Sequence, residues 1–277
     1  MEFAAALLCA EPDSAAPQHV ASVNVCTDEY VYHLLPRERI AALSFLAADR
    51  HPVISTIVDK VKGYPLIRKN AEDVIAAHPD LVVTYQGVNQ NLHMLLARAG
   101  ISVLDVPWAN SLADVRKVTR MLGDKLDVRA RAEVLLAEMD AKLAAARTNT
   151  KVPTVIYEPN GYATADGVSD EIMNEAGLRD VAPYLHQTRL GTIPVETLVA
   201  SPPALLILND AKEATPARAE QILHHPALAA IRGRTLIAHL SLTPLLCPGP
   251  WSADAAAPLA ALGKAASLRA NTASPKS

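Results

Sequence analysis

The sequence predicts an α/β fold. Two lobes, each built on a parallel sheet with helices on its faces, are joined by one long rigid α-helix, with a cleft between the lobes. Three observations predict it. A stretch of the first half recurs in the second, strands alternate with helices in both halves, and about 20 residues between the halves run without proline or glycine. The predicted division is a signal remnant with a disordered start over 1–17, a first lobe over 18–122 and a connecting helix over 123–150. A second lobe over 151–270 and a disordered tail over 271–277 complete it.

The repeat pairs NAEDVIAAHPDLVVTY (70–85) with PVETLVASPPALLILN (194–209). With Glu72 set on Glu196, Val74 meets Leu198, Ile75 meets Val199, Pro79 meets Pro203, and the runs 81–83 and 205–207 coincide. Each copy reads as a short helix with an apolar face at Val74, Ile75 and Ala77 or their equivalents. Proline ends the helix because it has no N–H and clashes with the preceding turn. The continuous apolar run that follows suits a strand buried on both faces of a parallel sheet.

The other elements follow in chain order. VASVNV (20–25) reads as a strand, after which Asp28 and Glu29 open an apolar helix. Beyond the first repeat copy come a helix over 89–99 and the strand ISVLDV (101–106), leading to Pro107, Trp108 and a helix start marked by Ser111 and Asp114. Ser and Asp fit there because they accept from free N–H groups and favour the positive helix end. The connector breaks once, at Gly123, and then runs from Val128 to Arg147 with apolar positions at Val134, Leu135, Met139, Leu143 and Ala146. That spacing is close to a 3.6-residue period, and at 1.5 Å per residue the helix spans roughly 30 Å. In the second half VPTVIY (152–157) is a strand and Asp170-Glu171 open a helix. TLIAHL (235–240) then leads through a loop to Pro250, Trp251, Ser252 and Asp254 at the last helix start.

Composition narrows the function classes. Half of the 277 residues are hydrophobic and a fifth are charged, and the net charge of −3 offers no basic field for nucleic acid or an anionic membrane. No apolar run reaches the roughly 20 residues that span a bilayer. MEFAAALLCA (1–10) reads as the tail of a secretion signal. Glu2 stands where a positive start belongs, so the true start is expected upstream, and the mature protein is expected in the periplasm. No G-x-S-x-G elbow, phosphate-binding loop, G-x-G-x-x-G turn or Cys-x-x-Cys pair is present, so no catalytic residue is assigned. The nine histidines form no H-x-H or H-x-x-x-H group, which gives no metal site and no cofactor.

At this point the chain resembles a known family. Two α/β lobes bridged by a single long helix resemble the class III periplasmic substrate-binding proteins of ABC importers, which carry cobalamin, haem and ferric siderophores. The most specific stretch is GYPLIRKNAEDVIAAHPDLVVTY (63–85). VETLVASPPALLIL (195–208) and CPGPW (247–251) resemble corresponding pieces of the second lobe. The resemblance implies a non-enzymatic, monomeric protein that closes on a small-molecule chelate and docks on a membrane permease dimer. It also implies that one surface glutamate of each lobe meets arginines of the permease, and these positions are Glu72 and Glu196. The plain alternative for both is first-turn helix charge.

Ligands of open α/β sheets bind beyond the carboxyl ends of the strands. The ligand-binding candidates are therefore Cys26, Thr27, Tyr64, Tyr85 and Trp108 in the first lobe and Asn160, Tyr162, Asn209, Cys247 and Trp251 in the second. Glu158, Asp210, His239 and Ser241 also fall at strand ends. In a chain with two tryptophans and seven tyrosines, aromatic residues at these ends suit a large, flat, partly apolar ligand such as a corrinoid, haem or siderophore chelate. Several members of the family carry a basic residue before the PGP segment or in the cleft for anionic chelates; this chain has Cys247 before the segment, and Arg68 and Arg189 are the remaining candidate cleft cations. Three states stay open for Cys26 and Cys247. Two thiolates would suit a soft metal, a bridge would lock the lobes and conflict with opening, and the plainest assignment is two small buried thiols. Rival readings are a zinc- or manganese-binding protein of the same superfamily and a periplasmic scaffold or sensor without transport.

Overall fold

The computed structural model describes residues 16–50, 53–88, 90–163, 166–185, 191–209 and 218–273. Residues 1–15 of the expected signal remnant, most of the expected tail, Arg189 and Asp210 lie outside the described residues.

In the first lobe the chain runs β1 (Val20–Ser22), α1 (Val25–Leu34), β2 (Ile40–Ser44), β3 (Leu66–Ile67), α2 (Ala71–Ala76), β4 (Leu81–Tyr85), α3 (Gln90–Arg98) and β5 (Ser102–Val106). The five strands form one parallel sheet in the order β3-β2-β1-β4-β5. The predicted strand at 20–25 stops at Ser22, because Asn24 turns the chain into α1. The Asn24 side chain accepts from the Cys26 N–H at 2.9 Å, satisfying one free donor of the helix start. Asp28 and Glu29, expected to open an apolar helix, lie inside α1 and are fully buried. Asp28 accepts from the Ser44 N–H (3.0 Å) and hydroxyl (2.5 Å), tying α1 to β2. Glu29 accepts from the Thr56 N–H (2.6 Å) and the Ser55 hydroxyl (3.0 Å), tying α1 to the loop below it. Strands β2 and β3 carried no sequence signal of their own.

Helices α4 (Leu112–Lys125) and α5 (Arg129–Ala146) connect the lobes. Ser111 caps α4 as predicted, its hydroxyl accepting from the Asp114 N–H at 3.0 Å. The break is not at Gly123. That residue lies buried inside α4, and the chain turns at Leu126–Val128, where Asp127 has φ +52°. Gly123 is needed for another reason: a Cβ there would come 2.7 Å from the Ala132 Cβ, so the glycine lets α5 cross α4 closely. The buried stripe of α5 is Ala132, Leu135, Leu136, Met139, Leu143 and Ala146, while Val134, expected inward, faces solvent.

The second lobe runs β6 (Val152–Tyr157), α6 (Gly167–Glu175), β7 (Leu178–Asp180), α7 (Val195–Ala200), β8 (Leu205–Leu208), β9 (Leu236–His239), α8 (Thr243–Leu246) and α9 (Ala256–Ala273). Its four strands are parallel, in the order β7-β6-β8-β9. The repeat is realised as α2–β4 and α7–β8. Both strands are buried along their whole length, as a continuous apolar run in a parallel sheet requires. Within α2 it is Ala71 and Val74 that face inward, and Ile75 is exposed.

One hydrophobic core passes from the inner face of the first sheet, along α5, to the inner face of the second. It includes Val83, Leu136, Met139, Ile156 and Ile207. Two smaller clusters cover the outer faces, around Ala21, Val74 and Val82 in the first lobe and around Val155, Leu198 and Leu206 in the second. The lobes are thus packed on a shared spine.

Candidate functional site: a cleft between the lobes

The carboxyl ends of both sheets open into one cleft of about 560 Å³. This is within the roughly 300–1,000 Å³ usual for small-molecule sites. The first lobe contributes Val53, Ile54 and the segment Trp108-Ala109-Asn110 after β5. The second contributes Glu158 and Pro159 after β6, the start of α6 from Asp166 to Ser169, Asn209 after β8, and the 241–246 segment after β9.

Of the ten candidate ligand residues, the structure places Trp108 and Asn209 on the cleft wall. Trp108 is half exposed and rests against the buried Tyr85 ring, centroids 5.2 Å apart, so Tyr85 backs the wall instead of facing the ligand space. Burial pushes the Tyr85 phenol far up, which keeps it neutral. Asn209 is held by its own hydrogen bonds. Its amide donates to Glu158 Oε1 at 3.1 Å, and its carbonyl oxygen accepts from the Leu242 N–H at 2.9 Å. Burial raises the Glu158 carboxyl above the usual range, opposed by the donation from Asn209.

The other candidates lie elsewhere. Thr27 is buried at the start of α1, its hydroxyl 2.8 Å from that of Ser22. Tyr64 packs beneath the Arg37 guanidinium, 4.2 Å from its ring centre. Asn160 and Tyr162 are exposed in the turn after β6, where Asn160 takes φ +60°. Trp251 is buried, with its ring edge-on to Tyr30 at 4.8 Å and stacked on His33 at 5.3 Å, and its indole N–H donates to the Cys247 carbonyl.

Cys26 and Cys247 form a disulfide, Cα atoms 5.0 Å apart, which corrects the assignment as two buried thiols and removes both from metal binding. The bridge joins α1 of the first lobe to the exit of α8 in the second, so it restrains opening as expected of a bridge. After α8 the chain folds back onto α1. Tyr30 donates to the Pro248 carbonyl at 3.0 Å, and residues 250–255 pack on α5. The bridge therefore sits where the second lobe rests on the spine.

Beside the cleft the lobes also touch directly. The Thr243 hydroxyl donates to the Val53 carbonyl at 3.4 Å, and Glu171 accepts from the Leu112 N–H at 2.8 Å. Gly167, with φ +54°, approaches Asn110 so closely that a Cβ would be 2.9 Å from its carbonyl oxygen. Val53, Ile54, Asn110, Asp166 and Leu242 were missed in the sequence because they belong to loops whose position depends on the far ends of the chain. Glu158 and Ser241 were visible as strand-end residues.

Residues 21–234 match the family model described as periplasmic binding protein, and the chain belongs to that family. No curated protein matches it in sequence. Solved structures share the fold over most of its length. The haem-binding protein RhuT from Roseiflexus sp. RS-1 aligns with a TM-score of 0.69 at 21% identity, over 90% of this chain and 98% of its own. A periplasmic heme binding protein from Pseudomonas aeruginosa gives 0.61 at 26% identity, over 88% and 92%. The vitamin B12 binding protein BtuF of Vibrio cholerae gives 0.64 at 13% identity, over 91% and 98%. Among the described residues no helix is long and apolar enough to cross a membrane.

Proposed function

We propose that this protein is the extracytoplasmic substrate-binding component of an ABC importer, a monomer that delivers a metal chelate of the corrinoid, haem or ferric siderophore kind to a membrane permease. The observation that carries the reading is the cleft at the carboxyl ends of two parallel sheets, with an exposed tryptophan on its wall. The relatives named for haem and vitamin B12 support the ligand class, and the family supports a periplasmic setting. In this reading the lobes are 18–122 and 151–270, with 123–150 as connector, and the protein carries and releases its ligand without chemical change.

Glu72 and Glu196 are the proposed docking points. Both are exposed and both occupy the first turn of the equivalent helices α2 and α7. A symmetric permease presenting two cationic sites would meet two equivalent acidic points. The double charge reversal Glu72→Lys/Glu196→Lys is expected to abolish uptake in cells while ligand affinity of the purified protein stays unchanged. Normal uptake by the double variant would overturn the docking assignment.

A further inference from the structure

The ligand space has a chemical bias of its own. Its described lining residues include three carboxylates, Glu158, Asp166 and Glu220, and no lysine, arginine or histidine. Neutral polar groups come from Asn110, Ser169, Asn209, Ser241 and Thr243, and the apolar wall from Trp108, Ile54 and the leucines of 242–246.

Glu158 is the best fixed of the carboxylates. Its backbone is closed into a tight turn, the Glu158 N–H donating to the Tyr162 carbonyl at 2.8 Å and the Gly161 N–H returning to the Glu158 carbonyl at 3.0 Å. Gly161 holds φ +79° there, and a Cβ would come 3.1 Å from the Tyr157 hydroxyl, so the turn is built around glycine. The Asn209 amide binds Oε1 and is itself locked by the Leu242 N–H. No hydrogen bond from a described residue reaches Oε2. The result is a fixed acceptor on the second lobe's side of the cleft, held by Asn209 and partly buried, where a charge-assisted hydrogen bond from a ligand donor is stronger than a neutral one. A ligand carboxylate placed against it would meet like charge at close range.

We propose that Glu158 determines specificity, selecting chelates whose edge carries amide or amine donors and disfavouring chelates whose edge carries carboxylates. This rests on the reading of the cleft as the ligand site. Burial holds the Glu158 carboxyl above its ordinary range. Ligand donors stabilise its ionised form, so affinity for a donor-bearing chelate weakens as pH is lowered through that titration.

The test uses matched pairs on one ring. Cobinamide, with primary-amide side chains, is compared with the same corrin hydrolysed to carboxylates, and hemin with its bis-amide, in titrations of the wild type and of Glu158→Gln. Gln preserves shape and the Asn209 contact but removes the charge. The wild type is expected to prefer the amide member of a pair by roughly tenfold, the scale of one charge-assisted hydrogen bond. In Glu158→Gln that ratio should fall close to unity and the pH dependence should vanish. Equal binding of both members by the wild type, or an unchanged ratio in the variant, overturns the proposal and leaves the chelate-binding reading standing. Binding of no member of either pair overturns the proposal and removes corrinoids and haem from the chelate reading.

Discussion

Asp28, Glu29 and His33 are close neighbours on α1, and the fold treats their protonation in opposite ways. Burial raises Asp28 to about 7 and moves Glu29 upward, favouring their neutral forms. Burial also lowers His33 to about 4, helped by the positive charges of Lys60 and Arg131 and opposed by Asp254. Glu29 faces the imidazole at 3.7 Å, and the charge of Lys142 adds to the lowering. The carboxyls contribute stability that is present below their unfolded values and lost as pH rises through the folded ones. The histidine works the other way. Between its unfolded value near 6.5 and about 4 the unfolded chain takes up a proton that the folded chain refuses, so stability falls as pH falls. His33→Phe, which keeps the stack on Trp251, is expected to lose about 1–2 kcal/mol less than the wild type between pH 7 and pH 5. Urea unfolding at the two pH values checks this, and an identical loss in both proteins would contradict it. None of this was legible from sequence. Asp28 and Glu29 follow a strand and read as the opening of a helix, with nothing in the local pattern to mark them as buried. Their donors Ser44, Ser55 and Thr56 arrive from β2 and a loop that carried no signal.

At the level of elements, what the sequence disclosed depended on local pattern. The duplicated α2–β4 and α7–β8 units were readable because a continuous apolar run after a proline has one natural place in a parallel sheet. β2, β3 and β7 were not, since IAALS in β2 fits a helix as well and the others are two or three residues long. Gly123 looked like a helix break but is a packing glycine, because only the α4–α5 crossing reveals its need for space. The disulfide is likewise a matter of elements, joining α1 to the exit of α8 across 221 residues. Closing so long a loop restrains the unfolded chain, and bridges of this kind contribute about 2–5 kcal/mol. The double variant Cys26→Ser/Cys247→Ser is expected to lose stability by about that amount in urea unfolding and to show a larger radius in solution scattering. Unchanged stability under non-reducing conditions would contradict the bridge.

The whole molecule couples two sheets to one spine. The core that passes along α5, the bridge beside it and the contacts of Val53 with Thr243 and of Leu112 with Glu171 all resist wide opening. A ligand would therefore shift a balance between closely related arrangements. The architecture was legible because repeat, spine and strand ends are all sequence patterns. The cleft wall was legible only where it coincides with strand ends, at Trp108, Glu158, Asn209 and Ser241, because its remaining residues are set by how the lobes meet. The central claim is that this cleft holds a chelate, and thermal unfolding against cobinamide, cobalamin, hemin and several ferric siderophores tests it most directly. A ligand that binds only the folded form adds about 2.7 kcal/mol at a hundredfold excess over Kd. The account predicts a clear rise in Tm with one chelate class and none with zinc or manganese salts, whereas a rise with the bare ions alone, or with nothing in the panel, would contradict it.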